Sequence, residues 1–162
     1  MAVFGYSKEP GNAQSLKEVE LAAKAFGVKV QYLEITSPKD IDTAFRTAAK
    51  GSANGVVVLT TQVLVAERAQ VAELAAKNRL AGIYPWPEFV EAGGLMSYGT
   101  SYADLYRRAT TYVDKILKGR APADLPVEQP IKFEFIINLK IAKQIGLTIP
   151  PNVLARADRV IK

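Results

Sequence analysis

The side chains available for chemistry are hydroxyls, amides, carboxylates and cationic heads, because the 162-residue sequence contains neither histidine nor cysteine. Without histidine, the commonest general base and metal ligand are missing. Without cysteine, disulfides, thiolate metal sites and thiol nucleophiles are excluded. A Ser-His-Asp triad, a zinc hydrolase site and a Cys-His pair are therefore out of reach. Carboxylate, lysine or tyrosine chemistry, or a borrowed cofactor, stays open. The polar residues of interest fall in three loops: Ser7 to Ser15, Thr60 to Gln62, and Tyr84 to Glu88. Each follows a short apolar run, and in open parallel sheets ligands bind beyond the carboxyl ends of the strands.

In the first loop, Ser7, Asn12 and Ser15 surround a helix start, where backbone N–H groups can hold an anion or carboxylate. The plainer reading is that Asn12 and Ser15 only cap the helix. Gly5 and Gly11 do not make G-x-G-x-x-G and no Lys-Ser/Thr follows, so neither a dinucleotide site nor a P-loop is expected. Thr60, Thr61 and Gln62 offer two hydroxyls and an amide, or a cap for the next helix. A receiver-type phosphoacceptor needs an aspartate at that strand end, and none is there. Trp86, the single tryptophan, lies between Pro85 and Pro87. It either lines an aromatic or apolar pocket or packs beneath its own loop.

These loops need elements to hold them, and the rhythm of the chain supplies them. Ala2–Tyr6, Val28–Ile35, Gly55–Leu59 and Leu80–Tyr84 read as strands; amphipathic helices are expected near 16–26, 38–48 and 63–78. In the first helix Leu16, Val19, Ala22, Ala23 and Phe26 share a face, and Gly27 stands at its left-handed end. Alternation of this kind implies βαβ units and a doubly wound parallel α/β sheet, flavodoxin-like in its simplest form. After Tyr84 the pattern changes: a short strand near Leu95–Gly99, a long helix over 101–118, prolines 122 and 126, a strand near Ile131–Ile137, and two short helices. Asn138 is placed to cap the first of those.

Composition limits the partners. Apolar residues make up 49% and charged residues 23%, an ordinary globular balance with room for one domain or one and an appendage. The net charge of +5 is scattered over Arg107-Arg108, Lys115-Lys118-Arg120 and Lys140-Lys143, so no nucleic-acid surface is expected. No apolar run approaches the roughly 18 to 20 residues of a membrane span. Met1 leads directly into an apolar strand with no signal-peptide pattern, which as written points to the cytoplasm or to a piece of a longer chain.

Several separated segments share one resemblance. They are Ser7-Lys8-Glu9-Pro10-Gly11-Asn12, Glu73–Leu80, Phe89–Gly99, Tyr112–Gly119, Ala123–Pro130, Lys132-Phe133-Glu134, Asn138-Leu139-Lys140 and Gly146–Pro151. In order, they resemble the carboxy-terminal half of ABC-transporter substrate-binding proteins of the tryptophan/tyrosine-binding type. The resemblance implies a two-lobed receptor of the periplasmic-binding-protein type I fold, here with residues 1–99 as one α/β lobe and the first lobe missing. Residues 100–162 then form a crossover helix, a returning strand and carboxy-terminal helices, an arm packing on the lobe or on a partner chain. It also implies an extracytoplasmic protein without chemistry or cofactor, which binds an amino acid or small carboxylate and serves a permease and ATPase.

By the same resemblance, ligand contacts come from Ser7, Asn12 and Ser15 and from Trp86, Glu88, Tyr98 and Thr100. Thr60, Thr61 and Gln62 stand where the family often has an Asp-Asn-Thr-like run. With its first lobe absent, the chain is expected to form a homodimer through the aromatic face of helix 101–118. Two further readings stay open at this point: an orphan lobe acting as a homodimeric interaction module, and a flavodoxin-like protein with a phosphorylated cofactor at Ser7 to Ser15.

Overall fold

The computed structural model describes all residues from Met1 to Lys162. Its first half alternates β1 (Ala2–Gly5), α1 (Asn12–Ala25), β2 (Gln31–Glu34), α2 (Pro38–Lys50), β3 (Gly55–Val58), α3 (Gln62–Ala66), α4 (Arg68–Lys77) and β4 (Ala81–Tyr84). The remainder is α5 (Pro87–Glu91), β5 (Met96–Thr100), α6 (Tyr102–Leu117), a 3-10 turn at Pro122–Asp124, β6 (Phe133–Asn138), α7 (Leu139–Gln144), α8 (Pro151–Leu154) and β7 (Arg159–Ile161). One sheet takes in every strand, in the order β2-β1-β3-β4-β5-β6-β7. The first five strands are parallel; β6 runs antiparallel to β5, and β7 parallel to β6. This is the doubly wound α/β sheet that the alternation implied.

β1 sits between β2 and β3, and all four of its residues are buried. Such a strand cannot alternate polar and apolar residues, which is why Ala2-Val3-Phe4-Gly5 reads as a continuous apolar run. On one face, Phe4 meets Phe45 of α2 edge-on at 4.8 Å, within a core that includes Ile41, Val56, Val58, Leu64 and Val71. A smaller core of Leu95, Ile137, Ala142 and Ile149 joins β5 and β6 to the last two helices. α2 starts as expected: Pro38 takes the first turn, and the Asp40 carboxylate accepts from the N–H groups of Thr36 (3.0 Å) and Ser37 (2.8 Å). These bonds, with those from the Thr36 and Ser37 hydroxyls, hold the Asp40 carboxyl below the usual carboxylate range.

The structure departs from the periodicity in several places. The helix expected near 63–78 is two helices, because Glu67 leaves helical geometry (φ −94°, ψ +24°) and the Val65 carbonyl is met by the Arg68 guanidinium at 3.2 Å. Phe26 lies past the last turn of α1 as its C-cap and is 82% exposed instead of inward. β2 is shorter than its apolar run. The closing strand β7 has no sequence signature: three residues suffice because the ladder to β6 and the Asp158 carboxylate, which accepts from Phe135 N–H at 2.8 Å, hold it. Asn138 does cap α7, accepting from the N–H groups of Lys140 and Ile141.

α6 is amphipathic yet contributes no buried residue. Tyr102, Tyr106, Val113, Ile116 and Leu117 all stand exposed along it, and Val127 and Ile131 of the following segment are exposed as well. The segment is tied back by the Tyr112 hydroxyl donating to the Pro126 carbonyl (2.7 Å) and by the Arg108–Glu128 ion pair.

Two outcomes follow for stability. Phe45→Ala empties the middle of the larger core and lowers unfolding free energy by about 3–5 kcal/mol, read from urea denaturation. Asp40→Asn lowers the urea midpoint at pH 7. Because the folded Asp40 carboxyl is held below its unfolded value, its contribution is present above the ordinary carboxylate range and is lost as pH falls through the folded value. The gap between wild type and Asp40→Asn therefore closes as the midpoints are measured at progressively lower pH.

Candidate functional site

Parallel pairing puts the carboxyl ends of β1, β3, β4 and β5 along one edge of the sheet, and with them the three polar loops. The loops are tied to one another. Asn12 begins α1 but does not cap it; Gly11, at φ +83°, occupies the N-cap. The buried Asn12 amide instead donates to the Thr60 carbonyl at 3.0 Å, joining the loop after β1 to the loop after β3. Thr61 is also buried and caps α3, its hydroxyl accepting from Leu64 N–H at 3.1 Å. Ser7 turns outward, and its N–H and hydroxyl both donate to the Glu34 carboxylate at the end of β2. Those bonds hold Glu34 below the usual carboxylate range.

At the positions that follow, the polar ends of the side chains meet no partner in the protein. Ser15 is exposed on α1; Thr60 and Gln62 are exposed at the edge, and Glu88 is exposed in the first turn of α5. Trp86, as the N-cap of α5, stacks on Tyr102 at 4.4 Å between ring centroids and 25° between planes. Its Nε1 is buried with no acceptor. Trp86 packs against the larger core and also lines a cavity at the loop edge. Burial is the main cause that pushes the Tyr102 hydroxyl above its ordinary value, with smaller effects from Tyr106 and the Glu88 carboxylate.

The Trp86 loop is held from below and from the side. The buried Tyr84 ring stacks on Phe89 at 4.9 Å, and there is room for it only because residue 82 is glycine; a Cβ there would lie 2.4 Å from the Tyr84 hydroxyl oxygen. Burial without a partner pushes that hydroxyl far above its usual range. Gly99 plays the same part beside the loop, since a Cβ would sit 2.1 Å from the Pro85 carbonyl oxygen. Tyr98 and Thr100 lie across β5 from Gly99, on the other face of the sheet. Tyr98 stacks on Phe133 at 5.6 Å and meets Phe135 edge-on, while Thr100 pairs with Phe133 in the ladder.

Two cavities open on the loop edge. One, of about 330 Å³, is lined by Val65, Arg68, Trp86, Glu88 and Phe89. The other, of about 370 Å³, is lined by Glu9, Thr60, Thr61, Gln62, Val65, Ala66 and Arg68. They share Val65 and Arg68 in their linings and so adjoin, an aromatic-lined cavity beside one lined by more polar residues, and the pair is termed the trough. The structure thus brings Thr60, Thr61, Gln62, Trp86 and Glu88 together. It leaves Ser7 on Glu34, Ser15 on the outer surface of α1, and Tyr98 and Thr100 across the sheet. Arg68 and Glu9 were not singled out in the sequence; the break at Glu67, which starts α4 at Arg68, has no proline or glycine to mark it. No group of His, Cys, Asp or Glu is arranged to hold a metal ion.

Comparison with known proteins gives the same direction. No match was found among curated proteins. A crystal structure of a conserved domain protein from Vibrio cholerae is 27% identical, with a TM-score of 0.84 over 98% of this chain and 53% of its own. An ABC domain from Streptococcus pneumoniae, solved in complex with L-Trp, is 25% identical, with a TM-score of 0.85 over 99% of this chain and 55% of its own. A ligand-free, open substrate binding protein with adhesive properties from Clostridium difficile shares the fold at 23% identity, with a TM-score of 0.74 over 99% of this chain and 53% of its own. The chain spans about half the length of these structures. The profile of one family, the ABC transporter substrate binding proteins, matches residues 1–161, and the chain belongs to that family.

Proposed function

We propose that this chain is one lobe of a solute receptor for an ABC importer, binding an amino acid in the trough at the carboxyl edge of its sheet and doing no chemistry on it. The observation that carries the reading is the pair of adjoining cavities: an aromatic wall of Trp86, backed by Tyr102, beside the exposed polar ends of Thr60, Gln62 and Glu88. Pockets for small molecules have this make-up, mostly apolar with a few convergent polar groups. That a relative was solved with L-Trp supports an aromatic amino acid as the ligand. A permease and its ATPase are the partners that follow from an importer, and an extracytoplasmic location goes with them. No helix is long and apolar enough to cross a membrane.

The trough is open on one side, and the matched structures continue for about as many residues again. A ligand held by one wall loses much of its burial, so affinity is weak, with Kd about millimolar. The exposed stripe of α6 borders the trough, because Tyr102 belongs to the stripe and also stacks on Trp86. A second lobe seated on that stripe would close the cavity. Where this chain is alone, a second copy takes that place through α6, giving a homodimer.

Two measurements check these statements. In a thermal-shift screen of amino acids, ligand at about tenfold its Kd stabilises by about 1.4 kcal/mol and raises Tm by about 3–6 °C. Absence of any shift across the panel removes the solute-binding reading. Light scattering coupled to gel filtration gives a dimer mass for the wild type and a monomer mass for Tyr106→Glu; a wild-type monomer at about 50 μM removes the homodimer, that concentration lying well above the roughly micromolar Kd of a standard-size interface.

A further inference from the structure

Arg68 and Glu88 line the same 330 Å³ cavity as opposite charges, yet they form no ion pair with one another or with any other residue. One N–H of the Arg68 guanidinium is used, donating to the Val65 carbonyl at 3.2 Å, and the residue lines both cavities. Its other donors are free. The Glu88 carboxylate accepts no hydrogen bond from the protein, and its charge is felt at the Tyr102 hydroxyl on the aromatic side. Trp86 and Phe89 line the same cavity, with the Trp86 Nε1 buried and lacking an acceptor. Two unpaired charges of opposite sign on the lining of one cavity suit a guest that carries both signs.

We propose that Arg68 and Glu88 are the two charged anchors of the bound amino acid, an assignment that rests on the solute-binding reading above. The guanidinium fork takes the ligand carboxylate, the geometry for which arginine is suited. Glu88 takes the ammonium, and the side chain lies along Trp86 and Phe89. The two anchors make the site selective for zwitterions: an amine alone leaves Arg68 unmet, and an acid alone leaves Glu88 unmet.

The test uses phenylalanine, phenylalaninamide and 3-phenylpropionate against the full chain, with Kd read from ligand-detected NMR and apo Tm as the folding control. Arg68→Gln weakens phenylalanine and 3-phenylpropionate at least about tenfold and leaves phenylalaninamide unchanged. Arg68→Lys recovers part of that loss, since it restores charge without the fork. Glu88→Gln weakens phenylalanine and phenylalaninamide and leaves 3-phenylpropionate unchanged. If wild type binds phenylalanine and neither Arg68→Gln nor Glu88→Gln changes its Kd, the anchors are overturned while the solute-binding reading stands. Equal losses for all three probes also overturn the assignment, because they mark a structural role. A wild type that does not bind phenylalanine overturns it too, and the amino-acid screen then decides whether the solute-binding reading falls as well.

Discussion

Everything in this molecule depends on β1 being buried on both faces between two parallel neighbours. Its backbone groups are satisfied by β2 on one side and β3 on the other, and its side chains face helices above and below. That arrangement obliges each connection to cross over the sheet as a helix and return at the opposite end. All the loops that follow the parallel strands then gather at one edge. The trough is the by-product of a hydrogen-bonding requirement, in that the loops free of the ladder are the ones with polar groups to offer.

Gathering alone would leave the loops mobile, and several buried contacts remove that freedom. The Asn12 amide on the Thr60 carbonyl joins two loops that are 48 positions apart, in an environment where leaving either group unpaired is costly. Tyr84 and Phe89 support the Trp86 loop from the core, and Gly99 lets β5 pass against Pro85. The residues that do this work are polar or aromatic and look, in sequence, like ligand contacts. Asn12 and Thr61 spend their polar groups on the fold, and exposed neighbours such as Thr60 and Gln62 are what face the trough.

The arm from α6 onward obeys a different balance. β6 and β7 extend the sheet and bury a second, smaller core with α7 and α8, whereas α6 projects a largely exposed apolar stripe, covered in part by Trp86 and by the segment that follows the helix. An amphipathic helix with no buried residue gains little by itself, since helix stability in proteins comes mostly from packing of the apolar face. A surface brought to α6 from elsewhere is what the proposed homodimer or second lobe would supply. Its first residue, Tyr102, already links that surface to the trough through Trp86.

The α/β class, the strands that form its parallel centre and the capping of α2 and α7 were legible in the sequence, because each rests on local physics. A strand buried on both faces must be apolar throughout, and proline, serine and asparagine act within a few residues of where they stand. The family was legible as well, through motifs spread along the whole chain. Hidden were the features whose causes are distant in sequence: the break at Glu67, the pairing of β7, the outward turn of Phe26 and the diversion of Ser7 to Glu34. The trough belongs to this second group. Trp86, Glu88 and Thr60 to Gln62 could be picked out one by one as polar or aromatic loop residues. That Arg68 joins them, and that Tyr98 and Thr100 face the other way, follows only from the register of the sheet and the packing of helices against it.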